Sequence, residues 1–177
     1  HGDGTGTVSL TDLVRAQTGI ACAQPVQRLD VETTGLTLFS LDKTVQPALD
    51  AAVAQGGIRK RYIALAAGRI ACGEQTIEAA IGRDRHDARR MRVSKTGKPS
   101  VTILRPLGTF DNATLVELEL KTGRRHQIRV HLAAIGHPVV GDGLYQGPAS
   151  EHGLMLHALE ERLIHPVTGE ELLLRTA

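Results

Sequence analysis

An acidic residue in a polar, irregular segment is the first candidate for chemistry in this chain of 177 residues. Asp30 lies in the segment 27–36, directly before the apolar residues 36–39, which predict a buried strand. A carboxylate held at the mouth of such a strand can act as a base or as a nucleophile. The alternative is structural, with Asp30 capping a turn and pairing with Arg28.

A second candidate segment, 122–131, combines basic residues with an apolar stripe at helical spacing. The stripe predicts a helix over 125–135, on which Arg125 and Arg129 are one turn apart and point the same way. A guanidinium at the edge of an apolar stripe loses water and should seek a carboxylate partner. The alternative is an ordinary surface arginine whose stem lies along the core.

Three histidines in the same region raise the question of a metal site. His126, His131 and His137 lie within twelve residues, but helical metal ligands are usually three or four residues apart. Residues 121–141 contain no carboxylate or cysteine that could complete the ligand set. We therefore expect no metal.

Positive charge is concentrated in three segments, although the formal net charge is only +2. Residues 58–69 and 121–141 carry basic residues and no acid, and residues 83–98 carry seven basic and two acidic residues. Such asymmetry is typical of a protein that binds a polyanion. A merely solvated basic face is the alternative for any one of these segments.

The elements that would position these residues are short. We predict a helix over 9–18 with Ser9 as its N-cap and Gly19 as its end, and another from Asp42 to about Gln55. Strands are predicted at 36–39, 58–67, 75–81, 99–105, 114–120, 154–163 and 171–175. The order of these elements predicts an α+β fold, with a mixed, mostly antiparallel central sheet flanked by a few helices.

Composition excludes several protein classes. With 41% hydrophobic and 23% charged residues, the chain is neither a disordered tail nor a membrane-spanning protein. A surface of many stacking aromatics is excluded as well, because aromatic residues make up only 2% of the chain. The four that could contact a base are Phe39, Tyr62, Phe110 and Tyr145.

The cysteines and the first residues bear on location and length. Cys22 and Cys72 have no partners at metal-binding or disulfide-framework spacing, so reduced thiols in a cytoplasmic protein are expected. The chain begins without a secretory signal and without Met. We expect 1–177 to be a single catalytic domain that lacks an N-terminal segment.

Short motifs along nearly the whole chain resemble the RluA-type pseudouridine synthases, in that family's order and at compatible spacing. The motifs are Arg28-Leu29-Asp30, Thr33-Thr34-Gly35-Leu36, Lys60-Arg61-Tyr62, Gly97-Lys98-Pro99, Thr122–His131, Gly136–Asp142, Leu144-Tyr145, Leu156-His157-Ala158 and His165–Gly169. The resemblance implies the catalytic fold of these enzymes and isomerisation of specific uridines in ribosomal RNA, especially large-subunit RNA, or in tRNA. It implies no cofactor.

The resemblance also implies roles for individual residues. Asp30 matches the catalytic aspartate, and Arg129 matches the arginine that pairs with it. Tyr62 matches the tyrosine that packs against the target base and assists proton removal from C5. Arg28 is implied to fill the space left by the flipped base. Other residues implied to bind the substrate are Arg124, Arg125, His126 and Ile128. Basic residues assigned to the RNA backbone are Arg59, Lys60, Arg89, Arg90 and Arg92.

Two departures from the family pattern keep alternatives open. Gln27 stands where the family usually has His, and residues 1–26 do not match the family's early strands. A non-catalytic RNA-binding module on the same scaffold is therefore the alternative function. A metal-dependent phosphodiesterase is a weaker one because of the histidine spacing. The expected partner is structured RNA, with no membrane, and a monomer is the default oligomeric state.

Overall fold

The computed structural model describes residues 8–71 and 73–176, and within them the fold is α+β. The helices are α1 Leu10–Thr18, α2 Gln46–Ala54 and α3 Gln127–Ala134. The strands are β1 Gln24–Pro25, β2 Thr34–Gly35, β3 Phe39–Ser40, β4 Ile58–Ala67, β5 Gln75–Glu78, β6 Ile81–Arg83, β7 Met91–Val93, β8 Val101–Phe110, β9 Ala113–Leu120, β10 Leu156–Ile164 and β11 Glu171–Arg175.

The main sheet has the strand order β11-β10-β4-β9-β8-β5. The pairs β4–β9, β9–β8 and β8–β5 are antiparallel, and β2 adds to β10 as a parallel pair. The pairs β1–β3 and β6–β7 stand outside this sheet. The predicted mixed, mostly antiparallel sheet is confirmed.

Alternating burial explains why the two central strands form. In β4 the side chains of Tyr62, Ala64 and Ala66 are buried and alternate with less buried ones, as the sequence predicts. In β9, Val116 and Leu118 are fully buried. Glu117 between them is also nearly buried, because ion pairs with Arg61 and Arg105 cover the opposite face.

Helix α1 forms as predicted. The Ser9 hydroxyl accepts from the Asp12 amide and the Asp12 carboxylate accepts from the Ser9 amide, which is a capping box, and Gly19 ends the helix in the left-handed region. Helix α2 starts at Gln46, later than expected. The Asp42 carboxylate instead accepts from the Thr44 amide, at 2.8 Å, and from its hydroxyl in a local turn.

The predicted strands differ from the observed ones in several places: β1 and β2 were not predicted, and β8 continues to Phe110. The expected strand over 36–39 is wrong: β2 ends at Gly35 and β3 begins at Phe39. The expected strand over 75–81 is divided into β5 and β6, and β6 pairs with β7, which was not predicted. Strands of two or three residues are too short for an alternating pattern to reveal them.

Contacts divide the chain into two compact units that interleave along the sequence. The first runs through Leu29 and adds Thr37–Ile58 and Leu163–Leu172. Its core contains Val26, Leu49, Ile58 and Leu163. In this unit Cys22 is an exposed free thiol, whereas Cys72 lies outside the described residues.

The second unit contains Asp30–Leu36, Arg59–Arg162 and the residues from Leu173 onward. Its core includes the fully buried side chains of Leu104, Leu118, Leu132 and Val139. All the predicted catalytic residues belong to it. That 1–177 form a single catalytic domain stays a prediction. None of the helices in the described residues is both long and apolar enough to span a bilayer.

The segment 30–36, which carries Asp30, is attached to β10. The Thr33 amide donates to the Asp30 carbonyl at 3.0 Å, and the Leu36 amide donates to the Ala158 carbonyl at 3.0 Å. Gly35 has a φ of +100° and lies against the Ala158 backbone, where a Cβ would come within 2.3 Å of the carbonyl oxygen. Only glycine fits this position without moving the segment.

We predict that Gly35→Ala lowers the free energy of unfolding by at least about 2 kcal/mol, because the substitution combines a left-handed backbone with a backbone clash. Chemical denaturation measures the effect. Gly143→Ala is the matched control, since a Cβ there meets open space, and it should change stability by less than about 0.5 kcal/mol. Equal stability of the two variants would show that β2 tolerates a side chain.

Candidate active site

A buried arginine on α3 lies at the centre of the candidate site. The side chain of Arg129 is only 3% exposed. Its Nε and Nη2 donate to the two carboxylate oxygens of Asp142, both at 2.7 Å, and Nη2 also donates to Glu32 Oε2 at 2.9 Å. The guanidinium therefore has carboxylate partners, as the sequence predicts for a desolvated arginine, and is not a surface arginine.

The Asp142 carboxylate is fully buried and organises the chain around itself. Besides Arg129, its Oδ1 accepts from the amides of Leu144 and Tyr145, each at 3.1 Å. A buried ion pair is stable only when its remaining polar atoms are hydrogen-bonded, and these amides meet that condition. The pair thus fixes both α3 and the start of the segment 142–145.

The carboxylate of Asp30 remains accessible, with 28% of its side chain exposed. Its Oδ1 lies 3.8 Å from His126 Nε2, beyond hydrogen-bond distance. Burial acts to lower the pKa of Arg129, but the bonds and charge of Asp142, with the charges of Glu32 and Asp30, raise it. The expected pairing of Arg129 with Asp30 is therefore replaced by hydrogen bonds to Asp142 and Glu32, and Asp30 acts on Arg129 through its charge.

Tyr62 on β4 is buried, and its hydroxyl is within the field of Asp30. Burial above all, and then the negative charges of Glu161 and Asp30, raise the pKa of the Tyr62 phenol well above its ordinary value. The phenol is consequently protonated throughout the neutral range. Asp30, Tyr62, His126 and Arg129 thus form one electrostatic neighbourhood within the second unit.

Lys60 lies two residues before Tyr62 on the same strand. Burial lowers the pKa of its ammonium, and the charge of Glu161 opposes that change. A half-buried lysine next to a buried glutamate is a poor contact for a solvated phosphate. The predicted assignment of Lys60 to the RNA backbone therefore has less support than that of Arg59, which is exposed.

His126, the residue before α3, has an uncommon backbone and an aromatic neighbour. Its φ is +56°, in the left-handed region, and its Nδ1 lies 2.8 Å from the Tyr145 hydroxyl. The two rings meet edge to face, with centroids 5.7 Å apart. Burial lowers the pKa of His126; the Asp30 charge opposes this, and the charges of Arg129 and Arg125 add to it.

The other residues predicted to bind substrate occupy different environments. Arg125 precedes α3 and donates to the Arg89 carbonyl at 2.9 Å. The expected common face of Arg125 and Arg129 is wrong, because the left-handed residue His126 separates Arg125 from the helix. Ile128 is buried, and the Arg124 guanidinium donates to the Pro99 carbonyl at 3.3 Å. Arg28 is exposed and belongs to the first unit.

The basic residues of the β6–β7 hairpin, residues 81–93, are not equivalent. Arg89 is exposed and pairs with Asp87 at 2.8 Å, and Arg92 is exposed. Arg90 is half-buried, with its guanidinium carbon 5.4 Å from the centroid of the Tyr145 ring. Arg89 and Arg92 are thus able to meet a phosphate, whereas Arg90 also helps to dock the hairpin.

The histidines considered as metal ligands do not converge. His131 is fully buried, with Nδ1 2.9 Å from the Thr102 hydroxyl and Nε2 3.0 Å from the Ala79 carbonyl. His137 Nδ1 lies 2.8 Å from the Ala67 carbonyl. Across residues 8–71 and 73–176, no three His, Cys, Asp or Glu side chains are grouped as a metal site.

Sequence reasoning missed two contributors to this site, Asp142 and Glu32, and it named Tyr145 only as one of four aromatics that could contact a base. Asp142 lies one residue beyond the carboxylate-free segment 121–141, so the acidic partner that Arg129 requires stayed unidentified. Asp142 and Tyr145 belong to the family motifs, which gave them no role. Glu32, two residues after Asp30, could have been found by asking which acid the segment 27–36 offers to a buried arginine.

We predict that Asp142→Asn lowers the free energy of unfolding by about 3–5 kcal/mol, because it leaves the buried Arg129 charge without its bidentate partner. Chemical denaturation measures this. Glu32→Gln is the control on the same guanidinium. Its carboxylate is 58% exposed, so the loss should stay below about 1 kcal/mol. Equal losses would mean that the two carboxylates share the stabilisation.

Comparisons with known proteins agree with this geometry. A family model described as RNA pseudouridylate synthase matches residues 9–134. The RNA pseudouridine synthase YhcT of Bacillus subtilis is 40% identical over 148 residues, which cover 82% of this chain and 49% of that protein. The ribosomal large subunit pseudouridine synthase D of Vibrio vulnificus is 38% identical over 162 residues, covering 83% of this chain and 50% of that protein. The chain thus spans about half the length of these curated relatives.

A solved structure of similar fold indicates the same family. Human RNA Pseudouridylate Synthase Domain Containing 1 superposes with a TM-score of 0.83 at 30% identity, covering 96% of this chain and 74% of that one. The sequence motifs, the antiparallel sheet and the relatives all point the same way. The chain belongs to the RNA pseudouridylate synthase family, and the resemblance to its RluA-type members is confirmed.

Proposed function

We propose that the protein isomerises uridines in structured RNA to pseudouridine, with Asp30 as the catalytic carboxylate. One observation carries the proposal: Asp30 is an accessible carboxylate whose charge acts on Tyr62, His126 and Arg129 together. A carboxylate that a substrate can reach, next to groups held rigidly by burial, is what a catalytic acid residue requires.

The reaction breaks the bond between uracil N1 and the ribose, turns the base, and joins C5 to the same carbon. N1 gains a proton and C5 loses one, so the atoms balance without a co-reactant. Asp30 can contribute by attacking or stabilising the anomeric carbon, or by taking the ribose 2′ proton. Both routes need an ionised carboxylate that is open to the sugar, and the exposure of Asp30 supports this role.

Tyr62 is proposed to pack against the target base. Its raised pKa disfavours a phenolate that would remove the C5 proton, so a protonated phenol in contact with the base is the better supported role. Arg129 is proposed to act through the segment that carries Asp30. Its bond to Glu32 holds that segment two residues from the catalytic carboxylate.

The RNA must present an extruded uridine, because an enzyme cannot reach the sugar and base of a stacked nucleotide. Arg28 is proposed to fill the vacated space, since a planar guanidinium can stack and donate hydrogen bonds there. Large-subunit ribosomal RNA is the proposed substrate, with tRNA as the alternative. The name of the Vibrio vulnificus relative supports the first. A cytoplasmic monomer is part of the same proposal.

We predict that Asp30→Asn abolishes pseudouridine formation and leaves RNA affinity within about threefold, because the side chain keeps its size and loses the reactive charge. The measurement is pseudouridine mapping of total RNA from cells that lack the gene and carry either version. Asp111→Asn, at the exposed turn between β8 and β9, is the matched control and should retain activity. An active Asp30→Asn protein would refute the mechanism, and RNA binding without any product by the wild type would favour a non-catalytic RNA-binding module.

We predict that removing the charges of Arg89, Arg90 and Arg92 weakens RNA binding. The slope of log affinity against log salt should become shallower by about one for each phosphate that these arginines neutralise. Binding of a ribosomal RNA fragment over a series of salt concentrations measures the slope. Lys43→Gln, an exposed lysine in the first unit, is the charge control. An unchanged slope in the arginine variant would move the RNA track away from the hairpin.

A further inference from the structure

A chain of hydrogen-bonding groups leads from the β6–β7 hairpin to Asp30. The Met91 amide, on β7, lies 2.9 Å from the Tyr145 hydroxyl. That hydroxyl lies 2.8 Å from His126 Nδ1, and His126 Nε2 faces Asp30 Oδ1 at 3.8 Å. All four groups belong to the second unit.

We assign the protons of this chain from its one fixed donor, the Met91 amide, and from the His126 nitrogen that faces Asp30. The Met91 amide can only donate, so the Tyr145 oxygen accepts a hydrogen bond from it. The Tyr145 hydroxyl proton is then available for His126 Nδ1. Burial lowers the pKa of His126, which favours the neutral ring. A neutral ring that accepts at Nδ1 carries its proton on Nε2, and Nε2 is the nitrogen that faces the carboxylate of Asp30.

The residues of this chain are held firmly in place. Tyr145 is 5% exposed, and its own amide donates to Asp142. The Arg129 guanidinium carbon lies 5.3 Å from the centroid of the Tyr145 ring. The left-handed backbone of His126 is costly for a residue with a Cβ and persists only where the surroundings impose it.

The hairpin is docked by apolar packing, since Ile81 and Met91 form one cluster with Val130 and Tyr145, and by polar contacts. Besides the Met91 bond, the Arg125 guanidinium donates to the Arg89 carbonyl, and Arg90 lies over the Tyr145 ring. A pocket of about 430 Å³ that is open to solvent is lined by hairpin residues and by α3 residues such as Val130 and Ala133. The docked hairpin thus holds the Met91 amide against the Tyr145 hydroxyl.

We propose that Tyr145 and His126 are positioning residues for Asp30, and that they couple the docking of the β6–β7 hairpin to the orientation of this carboxylate. The inference rests on the proposed function and extends it. The docked hairpin sets the Tyr145 hydroxyl through the Met91 amide, the hydroxyl sets the His126 ring, and the Nε2 proton aims Asp30. Neither residue needs to touch the reacting atoms.

Single-turnover kinetics on an RNA that the wild type modifies provide the first test. Tyr145→Phe keeps the ring and removes the hydroxyl, so the rate constant at saturating enzyme should fall about 10-fold to 100-fold, while the dissociation constant for RNA stays within about threefold. His126→Asn tolerates the left-handed backbone but is too short to reach both neighbours, and its rate constant should fall as far. His126→Gln is longer and should recover part of the rate.

A double-mutant cycle separates positioning from general destabilisation. If both residues act through one chain, the protein with Tyr145→Phe and His126→Asn should be no slower than the slower single variant. His152→Gln, an exposed histidine, is the matched control and should react at the wild-type rate. Wild-type rates in the variants, additive effects, or a loss confined to RNA affinity would overturn the proposal.

The tautomer of His126 tests the chain without any RNA. Imidazole nitrogen NMR on the full chain should find the proton of the wild-type ring on Nε2, and Tyr145→Phe should shift the Nδ1 resonance because that nitrogen no longer accepts a hydrogen bond. A proton on Nδ1 in the wild type would refute the chain. The NMR result does not depend on activity. A wild type that makes no pseudouridine would therefore reject the proposed function, and the tautomer of His126 would still test the series of hydrogen bonds from Met91 to Asp30.

Discussion

The burial of one guanidinium constrains the architecture of the candidate site. Arg129 lies on a helix whose surroundings leave it almost no solvent, and moving an unpaired guanidinium from water into such a place costs several kcal/mol. The bidentate pair with Asp142 offsets that cost, and the amides of Leu144 and Tyr145 donate hydrogen bonds to the Asp142 carboxylate. The helix α3 and the turn at 142–145 must therefore keep one geometry, because either of them moving alone would leave a buried charge unpaired. The exposed Glu32 adds a weaker link from the segment 30–36 to the same guanidinium.

The surroundings of Arg129 separate a buried, structural carboxylate from two accessible ones. Asp142 is completely buried and fully bonded, so it has no capacity left for a substrate. Glu32 is exposed and contributes one bond, which ties the Asp30 segment to the helix. Asp30 contributes its field and keeps its oxygens accessible. One cation thus interacts with three carboxylates, and burial keeps only Asp142 away from a substrate.

How much of this could be predicted from the sequence depends on the length of each pattern. Strand β4 and helix α1 were predicted closely, since ten alternating residues and a capping box are local signals. The strands β2 and β7 were not predicted, because two or three residues are too few to show an alternating pattern. The predicted start of α2 was too early, because the carboxylate of Asp42 forms hydrogen bonds within its own turn. The need of Arg129 for an acid follows from its position on an apolar stripe. That the acid is Asp142, with Glu32, depends on how distant segments meet, which one sequence does not contain.

The scarcity of aromatic residues gains a physical meaning from their positions. Tyr62 and Tyr145 are both buried beside charged groups, and each has a hydroxyl that a phenylalanine would lack. Burial above all, and then the negative charges of Glu161 and Asp30, raise the pKa of Tyr62 and keep its proton bound. Tyr145 lies near Arg90 and Arg129, and its hydroxyl joins an amide of the hairpin to His126. Phe110, by contrast, is exposed at a turn. In the proposed function the Tyr62 ring meets the base, and the Tyr145 ring connects the hairpin to His126, so the proposal requires only these two aromatic rings and no wider aromatic surface.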